Sequence, residues 1–138
     1  MSATKLALVS LVITAALVAA ACSGNPGDKT IKSNSSGDLT VTLSSSTGEL
    51  KSGESDLFIS FRDASGKLID VGAASLTFHM AAMGTMPEMN NKAALTTTES
   101  PGKYRATVEI EMTGTWEGVI SYDGPHGKGQ VRMTVNVK

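Results

Sequence analysis

From Leu39 to the C-terminus the apolar residues recur at every second position. Leu39, Val41 and Leu43 alternate with Thr40, Thr42 and Ser44, and the same rhythm returns in Leu57, Ile59 and Phe61, in Leu76, Phe78 and Met80, in Tyr104, Ala106, Val108 and Ile110, and in Val131, Met133, Val135 and Val137. A period of two lines one face of a β-strand with apolar side chains, whereas an amphipathic helix needs a period near 3.6, and no such window occurs in this part of the chain. Between these runs lie turn-forming clusters: Gly48 with Ser52 and Gly53, Asp63 to Lys67, Ser100 to Lys103, and Asp123 to Gly129. Less regular strands are expected at Leu68 to Val71, at Lys92 to Thr98, and at Trp116 to Tyr122, where Trp116, Ile120 and Tyr122 share one face. Seven or eight short strands with closely spaced turns predict an all-β fold, an immunoglobulin-like antiparallel β-sandwich. The cysteine pair of antibody domains is missing, so Trp116, Phe61, Phe78 and the aliphatic alternation must form the core, with Trp116 at its centre.

The first residues follow a different logic. Lys5 supplies a positive charge, and Leu6 to Val18 is apolar except for Ser10 and Thr14. A membrane-spanning helix needs about 20 apolar residues, and this run is shorter and ends in small residues, which is the pattern of a cleaved signal peptide. Leu17-Val18-Ala19-Ala20-Ala21-Cys22 resembles the bacterial lipobox, although Leu is usual where Ala19 stands. The resemblance implies cleavage after Ala21 and acylation of Cys22. A lone cysteine in an exported chain has no internal disulfide partner, and several acyl chains hold a domain at a membrane where one chain would not. Three segments are therefore expected: a lipoprotein signal peptide at 1–21, a lipidated flexible tether at 22–38 and a sandwich domain at 39–138. The tether assignment rests on Ser23 to Asp38 being polar, rich in Ser, Gly and Asn, with Ile31 its single sizeable apolar residue. The expected location is the cell envelope, lipid-anchored on the extracytoplasmic side, in the periplasm or at the cell surface. Without Lys5 the mature chain carries eleven basic and thirteen acidic side chains, dispersed along its length, and nucleic acid is not an expected partner.

Chemistry concentrates in Phe78-His79-Met80-Ala81-Ala82-Met83-Gly84-Thr85-Met86-Pro87-Glu88-Met89, where methionine stands at every third position from 80 to 89. Thioether sulfur is soft and uncharged, so it suits Cu(I) and discriminates against Zn(II), Mg(II) and Ca(II). Each thioether is a weak donor, and several must converge. A three-per-turn extended chain would leave successive methionines about 9 Å apart, and Gly84 and Pro87 oppose a helix. A loop that folds back at Gly84 and Pro87 would let Met83, Met86 and Met89 close on the rim of the sandwich, with His79 on the solvent side of its strand as a fourth donor. Alternation points Met80 inward. The same residues also allow two other readings, since methionine is a flexible gap-filler that can seal the end of a sandwich or offer an adaptable apolar surface to a protein partner.

Phe78-His79-Met80, Met83-Gly84, Met86-Pro87-Glu88-Met89, Gly102-Lys103-Tyr104 and Met112-Thr113-Gly114-Thr115-Trp116 together resemble the YtkA-like domain, over about Asp38 to Lys138. YtkA-like and the related FixH-like domains are small envelope sandwiches, found as lipoproteins or beside copper-efflux adaptors and cytochrome-oxidase assembly genes. The resemblance implies copper as the ion and an efflux or oxidase-assembly protein as a possible partner. Gly124-Pro125-His126-Gly127-Lys128-Gly129 lacks the spacing and the Ser/Thr of a phosphate loop and reads as a hairpin tip; His126 could join the methionines only if that tip lay at their end of the domain. With two histidines and no paired-carboxylate signature, no enzymatic activity is expected.

Overall fold

The computed structural model describes residues 28–138, so the expected signal peptide, Cys22 and the first part of the expected tether lie outside the described residues. Nine strands form: β1 (Lys29–Ser36), β2 (Leu39–Ser45), β3 (Gly53–Arg62), β4 (Ala73–Met80), β5 (Met89–Lys92), β6 (Ala94–Thr97), β7 (Lys103–Ile110), β8 (Gly114–Gly124) and β9 (Gly127–Val137). They make two antiparallel sheets, β1-β2-β3-β7-β6 and β5-β4-β8-β9. Without β1, this is the ABED sheet facing a C′CFG sheet of an immunoglobulin-like sandwich, as the alternation predicts.

The alternating residues meet between the sheets. Val41, Leu43, Leu57, Ile59, Phe61, Leu76, Phe78, Ile110, Trp116 and Ile120 are fully or almost fully excluded from solvent. Phe61 lies at the aromatic centre, edge-on to Tyr104 at 5.7 Å and to Tyr122 at 5.5 Å, an arrangement favoured by the ring quadrupoles. Each phenol finds a partner at the rim: Tyr104 Oη donates to Gly72 O at 2.6 Å and Tyr122 Oη to Ser36 Oγ at 3.1 Å. Trp116 is buried, and its indole N–H donates to Met112 O at 3.1 Å. Where the chain crosses near Tyr104, Gly102 adopts φ +89°, and a Cβ there would sit 2.5 Å from Ile69 O. Only glycine fits that crossing.

Three boundaries differ from the sequence reading. Residues 29–36, assigned to the flexible tether, form β1 and pair with β2 from Lys29↔Ser45 to Ser36↔Leu39, so the domain begins ten residues before Leu39. Strand addition is driven by backbone hydrogen bonds and needs little apolar surface; Ile31 packs on the core, and Asn34 Nδ2 bonds Arg132 O at 3.0 Å. Asp28 also pairs with the buried ammonium of Lys103, which lies 4.6 Å over the Phe58 ring. Leu68 to Val71 is not a strand but a connection in which Leu68 bridges to Arg62 and Asp70 Oδ1 accepts from Gly72 N–H at 2.9 Å. The weak strand expected from Lys92 to Thr98 is two strands, broken at the buried Ala93, whose N–H bonds Leu76 O at 2.9 Å while the chain passes from one sheet to the other. With β1 and this division the count becomes nine instead of seven or eight.

Candidate metal site at the methionine hairpin

The methionine segment joins β4 to β5. These strands pair from Thr77↔Lys92 to Met80↔Met89, and the same register reappears past Met80 at Met83↔Met86. Met83 N–H donates to Met86 O at 3.1 Å and Met86 N–H to Met83 O at 2.9 Å. Gly84 takes φ +58° between them, and no non-glycine residue has positive φ among the described residues, so the Gly84-Thr85 loop follows the type II′ pattern. The reversal falls at Gly84 and Thr85, and Pro87 lies on the returning arm.

This pairing decides which methionines meet. Two residues that exchange both backbone hydrogen bonds have Cα atoms about 5.5 Å apart and project their side chains on the same face. Met83 and Met86 are thus a facing pair of thioethers, 60% and 39% exposed, and they are the large hydrophobic side chains left exposed among the described residues. A metal–sulfur bond is about 2.3 Å, so two such bonds span the gap between flexible side chains at this separation. Met80, only 3% exposed, points into the core as its alternation required. Met89, directly across from it, is partly buried and packs against the core cluster. The structure therefore brings Met83 and Met86 together but not Met89, which lies about 10 Å of chain beyond Met86. Strand parity separates them, because positions three apart lie on opposite faces.

His79 stands on the outer face of β4, opposite Asn90 on one side and Glu117 on the other. Four extended residues, about 13 Å, separate it from Met83. Its surroundings are specific, and no spacing in the sequence shows them. His79 Nδ1 lies 2.9 Å from Asn90 Oδ1, and Asn90 Nδ2 donates to Glu88 Oε1 at 3.1 Å. A carboxylate can only accept, which turns the Asn90 amide nitrogen toward Glu88 and its carbonyl oxygen toward His79. The imidazole must then donate from Nδ1, so in neutral His79 the lone pair is on Nε2, the arrangement in which outer partners orient metal-binding histidines. Beside it is a shallow hollow of about 350 Å³ lined by His79, Ala81, Thr115, Trp116, Glu117 and Thr134. The Glu117 carboxylate is engaged by Arg132 Nη1 at 2.8 Å. Among the described residues no three His, Cys, Asp or Glu side chains converge.

His126 does not join this site. Ala73, at the start of β4, pairs with Asp123 next to the β8–β9 turn, whereas the methionine hairpin follows the end of β4. The two tips lie at opposite ends of the sandwich.

A two-sheet antiparallel sandwich with an uncharged, thioether-tipped hairpin on the C′C edge defines the class of domain. The chain belongs to the YtkA-like family, whose model matches residues 33–121, more than half of its length. No curated protein and no solved structure matches the chain.

Proposed function

We propose that this protein is a membrane-anchored, extracytoplasmic copper-binding protein, which captures Cu(I) at the methionine hairpin for handling or delivery. The observation that carries the reading is the Met83↔Met86 pair, two exposed thioethers held face to face by reciprocal backbone hydrogen bonds. Exposing two long apolar side chains on a charge-free tip has no folding benefit, whereas soft donors free of protonation suit monovalent copper. Met83 and Met86 supply the first two donors. Met89, which would have to turn out from the core, and His79, whose Nε2 lone pair is oriented by Asn90, are the candidates to complete the shell. In this reading the lipid on Cys22 holds the domain at the membrane, and the protein is not an enzyme.

The test is anaerobic titration of the protein with Cu(I) and with Ag(I). The reading expects binding that is lost when Met83, Met86 and Met89 all become Leu; unchanged affinity in that variant would refute it. The second reading is a metal-free interaction module docking on an efflux or oxidase-assembly protein. Its support is the same pair seen as an adaptable apolar surface, since large hydrophobic exposure among the described residues is confined to this tip. Capture of the same partner at full strength in the presence of chelator would favour it.

A further inference from the structure

The fold places the start of the described chain and the methionine hairpin at the same end of the sandwich. Lys29 pairs with Ser45 at the end of β2 and touches Gly48, whose added Cβ would lie 3.0 Å from that of Lys29. The following segment bridges in parallel from Leu50 to Val137, and Val137 pairs with Gly114. Gly114 in turn lies against Met80, where the hairpin leaves β4, so that a Cβ on Gly114 would come 3.0 Å from Met80 Cε. The end of the domain that receives the chain from Cys22 is therefore the end from which Met83 and Met86 project. His126 and the Ser36–Leu39 turn occupy the far end, near a common hollow.

The connection is short. Six residue steps separate Cys22 from Asp28 and span at most about 21 Å, and Asp28 is turned onto the outer face of the first sheet, where Lys103 at the start of β7 holds it. The hairpin lies on the C′C side, two to three strand spacings or about 10–15 Å across the sheet from β9, beside which β1 runs. Such a tether keeps this end within reach of the bilayer. The hairpin from Ala81 to Pro87 carries no charged residue and is exposed throughout. A lipid surface accepts such an uncharged apolar tip, and the anchor makes the contact intramolecular, so that a weak affinity is enough.

From these placements we infer that the Met83–Met86 tip rests against the lipid surface that carries the Cys22 anchor. The inference depends on the anchor proposed above but not on copper. It is tested in the full lipidated protein reconstituted into phosphatidylethanolamine–phosphatidylglycerol vesicles. Because acylation blocks the thiol of Cys22, a new cysteine is the sole labelling site, and Thr85→Cys carries a nitroxide at the tip with both methionines kept. The expected result is that this label is shielded from a water-soluble nickel chelate and open to lipid-borne oxygen. Labels at His126→Cys, on the far end, and Arg105→Cys, on the outer face of the first sheet, should stay accessible to nickel. Adding Met83→Ser and Met86→Ser should restore nickel access at position 85. A tip label as accessible as the His126 label, shielding at Arg105 in its place, or shielding that survives both serine substitutions would overturn the placement. Mass spectrometry separates the two failures: intact acylation of Cys22 with an exposed tip removes the placement alone, while an unmodified Cys22 removes the anchor and the placement together.

Discussion

Four methionines within ten positions are divided by burial into two pairs, and truncating them one at a time should show it. Met80 is 3% exposed and faces Met89 across the ladder, at the point where the hairpin leaves the core. Its replacement by Ala removes the buried thioether and leaves a cavity beside Gly114, which for buried methionine costs about 2–5 kcal/mol. Met83 and Met86, being exposed, make no such contribution, and Met83→Ala and Met86→Ala should each change stability by less than about 0.5 kcal/mol. Met89→Ala, at a partly buried position, should fall between. Urea unfolding followed through the buried Trp116 reads all four variants on one scale, with the unfolding slope required to stay constant for the comparison to hold. The reasoning is refuted if Met83→Ala or Met86→Ala destabilises as much as Met80→Ala, since all four would then be packing residues and the exposed pair would need no function.

Three further outcomes are expected. Asn90→Leu removes the acceptor that fixes His79 Nδ1–H; if His79 is a ligand, Cu(I) affinity should weaken by about 10–100-fold, with a mixed tautomer signal in the imidazole NMR spectrum, whereas an unchanged tautomer would contradict the relay. Tyr104→Phe leaves the Gly72 carbonyl without its 2.6 Å donor and should cost about 1–2 kcal/mol in urea unfolding; because burial and the nearby Asp70 carboxylate push this phenol upward, its contribution in the wild type is present below about pH 10 and is lost as pH rises through the raised folded value. At the acid end, Glu49 is lowered by the Lys138 ammonium, Asp56 by Arg105 and Thr107, and Asp63 by Ser65 and the Lys67 backbone. Stability from these carboxylates is present above about pH 4 and is lost as pH falls through the lowered folded values, so the urea midpoint should decline there, and a midpoint that rises on acidification would contradict the assignment.

The sandwich was readable because every core strand buries one face, and a one-residue slip would turn that face to water. Leu76, Phe78 and Met80 illustrate this, as all three alternate in sequence and all three are buried. β1 escaped because, apart from Ile31, its contacts are backbone pairing, the Asn34–Arg132 bond and the adjoining Asp28–Lys103 ion pair, none of which leaves a hydropathy pattern. For the hairpin, the decisive signal was present in Gly84-Thr85 between two flanking methionines, a two-residue loop with glycine first. Reading the turn as spread to Pro87 suggested that Met89 could close with Met83 and Met86. Strand parity, once the register is known, sends Met89 to the core side. The Glu88-Asn90-His79 relay depends on a cross-strand partner eleven residues away, which residue spacing alone cannot assign.

The central claim is that two facing, exposed thioethers form the heart of a soft-metal site. Anaerobic Cu(I) titration against a competing chelator, comparing the wild type with Met83→Leu/Met86→Leu, addresses it directly, because leucine keeps the volume and apolar character of the tip and removes only the sulfur donors. The account predicts that Cu(I) binding is lost in the double variant while the urea midpoint is unchanged. Wild-type affinity in that variant would contradict it.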